Sequence, residues 1–499
     1  MLTIKESCLL CDELPTSRVL DLETVLVAGA SGYIGGRLVP ELIARGYRVR
    51  VMVRSKSEIK SDRWSGCELV VADALDADSL LNAMEGVHTV FYLIHSMLVG
   101  PNSFADADRR AAKLVRQSAE KKNVKRIIYL GALGDRRNVL SPHLSSRMAV
   151  GHELAGGSIP VTFLRAAIIL GSGSASYEMI NHLIRKLFLL PVPDWAKTRC
   201  QPISLRDVIK TLVGVLEIKE TEGKVYDIGG PDVLTYEDLL KTHANVLGRR
   251  RLFINSPISS IPFFSFMTGL LTPVPNQITR CLMNSVEHDV VCEGSDILSL
   301  LPFRRISCRE ALVLALSREE QDAVHSRWTD SYPPGHELAI KLNELNETPT
   351  YTSKYSLTSK KNPESLFKSI SYIGGENGWF NSTPLWRLRG MLDKLFFGVG
   401  TTRGRRSIKQ LRVNDVIDFW RVEEVNKPYR LLLRAEMKLP GKAWLEFRVK
   451  EDNDLQQLSV KAYYHTKGIL GHLYWYFFLP FHHFIFGDLI HGIEKRSED

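Results

Sequence analysis

The sequence predicts an α/β protein: a doubly wound parallel sheet with a cap region, followed by a separate α+β domain on an antiparallel sheet. Three observations carry this expectation. From Thr24 onward, short and nearly continuous apolar runs alternate with segments of crossover-helix length, as in strands buried on both faces. Gly29, Gly32 and Gly35 separate the first run from the first helical pattern. Near Pro363 the pattern changes to strands joined by short turns and closed by one long apolar segment, the signature of an antiparallel sheet. A chain of 499 residues, 44% apolar, exceeds one ordinary core and suffices for two.

Residues 1–22 read as an unstructured extension. Glu6, Asp12, Glu13 and Asp21 stand where a secretory signal would carry a basic start and an apolar run, so export is not expected. Cys8 and Cys11 form a lone C-x-x-C with no second pair at zinc spacing, and the seven cysteines are an odd number spread along the chain. That pattern predicts no metal and no disulfide framework, and it fits a reducing, cytoplasmic compartment.

Six strands are expected at Val25–Ala28, Val49–Val53, Leu69–Ala72, Thr89–Ile94, Arg126–Leu130 and Val161–Leu164. Beyond Leu164 the spacing loosens. Helical stretches at 177–189, 205–216 and 236–247, with a short strand at Val225–Ile228, should supply the substrate cap of a domain spanning 23–320. The run 258–275, with Phe263, Phe264, Phe266, Met267 and Leu270, suits a hydrophobic lobe or a membrane-touching surface. Residues 321–362 lack a sustained hydrophobic period and read as a linker.

In the domain 363–499, strands are expected at 411–425, 430–439, 443–449 and 455–464, before a long final helix. A three-residue loop at Pro440-Gly441-Lys442 would pair Leu439 with Ala443, Met437 with Leu445, Ala435 with Phe447 and Leu433 with Val449, an all-apolar face. The opposite face, with Arg434, Glu436, Lys438, Trp444, Glu446 and Arg448, would be solvated. The stretch 469–493 is the most apolar, yet His472, Pro480, His482, His483 and Asp488 interrupt it before the ~18 clean apolar residues of a span accumulate. A buried or interfacial helix is the expectation, with peripheral membrane contact as the alternative to core burial.

The net charge is +9, and residues 361–499 hold 22 Lys+Arg against 16 Asp+Glu, a difference of +6. No zinc-finger, helix-turn-helix or RNP-like pattern accompanies it, so nucleic acid is not an expected partner. Arg403, Arg405, Arg406, Lys409 and Arg412 form a local basic cluster, suited to an anionic ligand or lipid headgroup, or simply to a solvated loop.

The chemistry concentrates at Gly29-Ala-Ser31-Gly32-Tyr33-Ile34-Gly35. Following a strand and opening a helix, these glycines allow a tight turn, close approach of a pyrophosphate to the helix N-terminus, and close helix–strand packing. A dinucleotide is the expected cofactor. At the end of the second strand stands Arg54, which cannot accept from a ribose 2′-hydroxyl but can pair with a 2′-phosphate. NADP(H) is therefore favoured, with NAD(H) also allowed.

These features, with Val71-Ala-Asp73-Ala74 after the third strand and Phe91-Tyr-Leu93-Ile94 in the fourth, resemble the atypical short-chain dehydrogenase/reductases, NmrA-like members included, over about residues 23–320. The resemblance implies a Rossmann fold, places Asp73 and the Ala74 backbone against the adenine, and lines the nicotinamide side with residues near Leu93, Ile94 and His95. Asp73 also reads as a simple turn residue. Active members use Ser with Tyr-x-x-x-Lys. Here His143-Leu-Ser-Ser-Arg147 occupies the Tyr and Lys positions and Ala132 that of the Ser, so the usual proton transfer is in doubt and His143 and Arg147 are the catalytic candidates. Tyr177, Glu178, His182 and Arg165 are further candidates without partners fixed by the sequence.

The last part resembles a domain of unknown function that recurs behind such Rossmann domains, through Gly374-Gly-Glu-Asn-Gly-Trp379, Leu385-Trp-Arg-Leu-Arg-Gly390, Asp418-Phe-Trp-Arg421, Glu436-Met-Lys-Leu-Pro-Gly441 and Leu473-Tyr-Trp-Tyr476. Its order of elements is similar to the START or polyketide-cyclase helix-grip fold. That likeness implies an apolar cavity which Trp379, Trp386, Trp444, Trp475, Phe477 and Phe481 could line, although such residues serve equally as ordinary core. Together the resemblances imply an NADP(H)-dependent oxidoreductase acting on a lipophilic carbonyl, quinone or isoprenoid-like compound. The alternative is a non-catalytic NADP(H)-binding redox sensor or assembly factor, related in fold to the accessory subunit of respiratory NADH dehydrogenase. A third reading is a lipid-carrying peripheral membrane protein.

Overall fold

The computed structural model describes residues 10–20, 23–54, 64–95, 100–134, 141–293, 297–320, 326–331, 340–345, 347–396, 398–401, 403, 405, 411–452 and 455–497. The chain forms two compact units, Met1–Leu271 with Gln277–Tyr332, and Thr272–Asn276 with Pro333–Asp499.

The first unit runs β1 (Thr24–Ala28), α1 (Gly35–Ala44), β2 (Arg48–Val53), β3 (Glu68–Val71), α2 (Ala77–Ala83), β4 (Val87–Tyr92), α3 (Gly100–Lys121), β5 (Arg126–Ala132), α4 (Pro142–Ala155) and β6 (Val161–Ala166). There follow α5 (Ala175–Lys186), α6 (Leu205–Glu217), β7 (Val225–Ile228), α7 (Tyr236–Val246), α8 (Ile261–Leu271), α9 (Asn276–Met283) and α10 (Cys308–Glu320), with short strand pairs between them. The seven named strands form one sheet in the order β7-β6-β5-β4-β1-β2-β3, parallel throughout.

Alternate residues of β1 feed opposite cores, which explains why the strand is apolar without interruption. Val25 and Val27 join Leu38 and Leu42 of α1 and Val208 and Leu212 of α6. Leu26 and Ala28 join Leu80 of α2, Val115 of α3 and Leu154 of α4. Chain order reverses between β1 and β4, which opens a crevice beyond the carboxyl ends of those strands.

Two expectations change here. Val225–Ile228 is the seventh strand of this sheet, with Tyr226 opposite Leu164 on β6, and not part of a cap. Residues 10–18 are not an unstructured arm either. The Leu10 and Cys11 amides donate to the Glu41 carboxylate, each at 3.1 Å, Arg45 donates to the Cys11 carbonyl at 3.1 Å, and Lys210 pairs with Glu13 at 2.6 Å. This segment gives the Glu41 carboxylate two donors and Lys210 a carboxylate partner, and buried polar groups of that kind require partners. Cys8 lies outside the described residues.

The second unit contains β8 (Tyr351–Ser359), α11 (Pro363–Ser371), α12 (Thr383–Leu395), β9 (Val416–Ile417), β10 (Trp420–Asn426), β11 (Arg430–Ala435), β12 (Lys442–Asp452), β13 (Leu455–His465) and α13 (Ile469–Arg496). Its sheet is antiparallel, in the order β8-β13-β12-β11-β10-β9. Strand β8 falls within the expected linker 321–362, where its period-2 alternation is carried by Tyr, Ser and Leu and so hides among polar residues. Its Tyr351 stacks on Trp475 of α13 at 5.1 Å, and Trp475 also stacks on Tyr464 of β13 at 5.7 Å. The expected strand 411–425 is broken into β9 and β10 by Asp418, which takes a left-handed φ of 56°, a conformation that Asp tolerates better than most residues.

The β11–β12 register differs from expectation. Leu433 faces Leu445 and Leu431 faces Phe447, four residues from the predicted pairing. The displacement is even, so the apolar residues still share a face. The opposite face is solvated only in part: Lys438 and Arg448 are exposed, whereas Arg434, Glu436, Trp444 and Glu446 are buried. Arg403 donates to Glu436 at 2.6 Å and Arg421 donates to its other oxygen, Trp444 donates to Glu423 at 3.1 Å, and Tyr463 donates to Glu446 at 2.7 Å. Mutual pairing makes this burial tolerable.

Two members of the expected basic cluster, Arg403 and Arg405, are engaged internally. Arg403 is buried against Glu436 and Arg405 donates to the Ile373 carbonyl at 2.7 Å. The Arg412 amide donates to Asp415 at 2.9 Å, while Arg406 and Lys409 lie outside the described residues. Nor do the six aromatic residues share one cavity. Trp386 packs at tilted or edge-on angles against Trp379, Phe419 and Trp420, Trp444 and Trp475 lie on opposite faces of the sheet, and Phe477 and Phe481 are exposed.

Candidate functional site

At the end of β1 the chain turns on Gly29, whose φ of +92° favours glycine, and a Cβ there would lie 2.7 Å from the Leu93 backbone. A Cβ at Gly35 would lie 2.4 Å from the Gly29 oxygen and 2.6 Å from the Ala30 Cα. These positions admit no side chain, so the loop and the first turn of α1 stay tightly coiled beside the end of β4. The Gly32 amide donates to the Gly29 carbonyl at 3.0 Å, and Ile34, at the start of α1, provides no side-chain cap. The Gly36 and Arg37 amides are spent on the Gly32 and Ile34 carbonyls at 2.9 and 3.0 Å, so a phosphate would meet the backbone of the glycine loop ahead of them, at the positive end of α1. This cradle fits the pyrophosphate of a dinucleotide.

The loop is braced from far along the chain. Ser326 Oγ donates to the Tyr33 carbonyl at 2.7 Å, and Arg37 Nε donates to Ser326 Oγ at 3.1 Å. A second Arg37 nitrogen donates to the Ser172 carbonyl at 3.0 Å, and the guanidinium lies 5.5 Å from the Tyr33 ring. Ser31, Tyr33 and Ile34 are half-buried in this turn. Arg54 follows β2 directly and is exposed. Asp73 follows β3 and builds a turn: its carboxylate accepts from the Leu75 amide at 2.9 Å, its own amide donates to Ser79 at 3.1 Å, and Ala74 is buried beside it.

Beyond β4 the carboxylate of Asp108 on α3 lies 3.4 Å from His95 Nδ1, and His95 Nε2 lies 3.1 Å from His143 Nε2. His143 Nδ1 is buried and meets no hydrogen-bond partner among the described residues. One turn along α4, Arg147 donates to the Ile94 carbonyl at 3.2 Å and to the Leu130 carbonyl, with its guanidinium 4.9 Å from the Tyr129 ring. Arg147 thus ties the ends of β4 and β5 to α4 and positions His143. Burial holds both imidazoles below their ordinary value. His143 lies well below it, with His95 and Arg147 adding to the effect; at His95 Arg147 also lowers the pKa while Asp108 opposes.

The other sequence candidates have partners of their own. Tyr177 is core, edge-on to His243. Glu178 is buried, 3.6 Å from His182 and 3.9 Å from Arg327, and burial raises its pKa. Arg165 pairs with Asp227 at 2.5 Å. Sequence reading singled out neither Asp108 nor Ser326. Asp108 sits on the buried face of an amphipathic helix, a signal that could have marked it; nothing local marks Ser326.

The NmrA-like family profile matches residues 21–287, more than half of the chain. The chain belongs to the NmrA-like family. Its first unit is accordingly a Rossmann domain of an NAD(P)-binding fold family. The family described as a protein of unknown function (DUF2867) matches residues 346–489 of this NmrA-like protein. Among relatives, the NADH dehydrogenase [ubiquinone] 1 alpha subcomplex subunit 9, mitochondrial, of Arabidopsis thaliana is 26% identical over 46% of this chain and 60% of its own length. The chain thus spans well under two thirds of that relative. The photosystem II assembly factor Ycf39 of Trieres chinensis is 19% identical over 48% of this chain and 73% of its own. The structure of a Citrobacter sp. triphenylmethane reductase superposes with a TM-score of 0.49 at 19% identity, covering 59% of this chain and all of that one. Among the described residues, no helix is long and apolar enough to cross a membrane.

Proposed function

We propose that the first unit binds NADP(H) and is an oxidoreductase for a lipophilic carbonyl, quinone or isoprenoid-like compound, with His143 as the proton-handling residue. The observation that carries this reading is the half-buried Asp108–His95–His143 chain beside β4, next to the strand end that packs on Gly29. The glycine loop would hold the pyrophosphate, Asp73 and Ala74 the adenine, and Arg54 a 2′-phosphate, with Leu93 and Ile94 facing the nicotinamide side. When bound, the cofactor would supply or accept the hydride.

The proton follows from the hydrogen bonds. With Asp108 ionised, His95 Nδ1–H donates to it, His95 Nε2 accepts from His143 Nε2–H, and His143 Nδ1 keeps a lone pair. A hydroxyl proton taken at Nδ1 moves each following proton one place, ending on Asp108; reduction runs the same chain in reverse. This supplies the function of the missing Tyr and Lys by other groups. The word ubiquinone in the plant relative's name supports a quinone as the first substrate to try.

A second reading, a non-catalytic NADP(H) sensor or assembly factor, is favoured by Ala132 at the usual Ser position and by the name of the Ycf39 relative. Titration with NADPH and NADH, followed by NADPH oxidation against quinones and aldehydes, separates the two. Selective NADPH binding with turnover that is lost in His143→Gln supports the enzyme. Binding without any turnover transfers the assignment to the sensor, and no binding overturns both.

A further inference from the structure

The second unit exposes an apolar face that its own core does not use. On α13, Trp475, Phe486 and Ile490 are buried. The opposite side carries Ile469, Leu473, Tyr476, Phe477, Phe481 and Phe484, all exposed, Phe477 by 68%. Their spacing of three and four residues places them on one stripe. That stripe extends over the first four turns, ~24 Å of helix at 1.5 Å per residue. Helix α12 does the same with Leu388, Met391, Leu392 and Leu395, and Phe396 just beyond its end is 65% exposed. Tyr474 of α13 interacts with Arg389 and Asp393 of α12, so the two helices are neighbours. Apolar patches of this extent are rare on monomers unless something covers them.

We propose that this surface docks the protein onto an anionic lipid bilayer, with α13 lying in the interface. Charge decides among occupants. Residues 383–396 and 466–487 contain four basic side chains against one acid, Asp393; Lys394 is buried and Arg389 donates to the Lys438 carbonyl at 3.1 Å, which leaves Arg387 and Lys467 as the cations of the rim. Asp393 is buried and accepts from the Gly400 and Lys438 amides. Arg387 is exposed, and Lys467, its side chain 75% exposed, forms a surface pair with Glu347 at 3.4 Å, an interaction of little strength. A second copy would bring the same basic rim against itself across a two-fold axis, whereas anionic headgroups neutralise it. Phenylalanine, leucine and methionine on the outward face, with bordering cations, suit a helix lying at the boundary of headgroup and acyl chain.

The test floats full-length protein with vesicles of phosphatidylcholine alone and with about 30% phosphatidylserine, the lipid that basic rims recognise. The wild type is expected to float with the anionic vesicles and to be released by salt. Phe477→Glu with Phe481→Glu should reduce partitioning at least tenfold while the thermal midpoint stays at the wild-type value. Should that pair not fold, Arg387→Glu and Lys467→Glu provide the independent arm, each expected to weaken binding about fivefold. Wild-type protein that stays with the aqueous phase in every mixture overturns the proposal. So does a concentration-dependent dimer that the phenylalanine substitutions abolish in the absence of vesicle binding. Neither outcome bears on the cofactor site, which is read by NADPH titration.

Discussion

A methyl group at Gly35 would meet the Gly29 oxygen at 2.4 Å and the Ala30 Cα at 2.6 Å, and backbone atoms cannot step aside as a flexible side chain does. Gly35→Ala is therefore expected to cost about 1–3 kcal/mol through overpacking and to abolish tight NADPH binding, read by thermal unfolding and fluorescence titration. Ser326→Ala removes one brace of the same loop without a clash, so NADPH affinity should fall several-fold, by about 1 kcal/mol for one lost hydrogen bond, with the fold intact. For His143, the depressed pKa moves the acid limb of turnover below the ordinary imidazole value of about 6.5. His95→Asn cuts the path to Asp108, so the pH profile should change as well as the rate; a uniform loss with an unchanged profile would assign His95 to packing. Position along the sequence made the glycines and His143 legible. The partners of His143 were not, because His95 and Asp108 come from a strand end and a separate helix that only the parallel sheet brings together.

Among the elements, β10, β11 and the Arg403 segment enclose a fully buried carboxylate. Burial opposes ionisation of Glu436, yet Arg421 and Arg403 overcome it and hold the carboxyl down at about 2. A depressed acid of this kind stabilises the fold above its unfolded value of about 4.3, and that contribution is lost as pH falls from there toward the folded value. Glu436→Gln removes the carboxylate that Arg403, Arg421 and Arg434 share and should destabilise by about 3–5 kcal/mol, with less acid sensitivity between about pH 4.3 and 2 than the wild type, measured by urea unfolding across that range. Unchanged stability would mean that solvent reaches the arginines. The alternation of β11 and β12 disclosed the apolar face, but not which way the charged face pointed. Strand propensity is local, whereas burial of Arg434 and Glu436 depends on arginines contributed by β10 and by residue 403.

At the scale of the whole molecule, the chain divides into two compact units, and the glycine turn belongs to the first. A ligand that binds only the folded first unit should raise its stability by about 2.7 kcal/mol at a hundredfold excess over Kd. Hydrogen exchange of the full chain with NADPH should slow the amides of residues 29–36 and 326–328, and leave β11 and β12 unchanged; slowing confined to the second unit would relocate the cradle. The sequence by itself determined the parallel doubly wound sheet, the glycine turn, the antiparallel second sheet and the apolar final helix. Each of these is written in neighbouring residues through a period of two, a period of 3.6, or a turn that only glycine permits. Tertiary structure alone decided that β8 belongs to the second sheet, that the charged face of β11 and β12 is in part internal, that residues 10–18 are bound to α1 and α6, and that Asp108, His95 and His143 form one chain. These features depend on side chains tens to hundreds of residues apart, whose pairing energies appear only when the fold sets them side by side and excludes water.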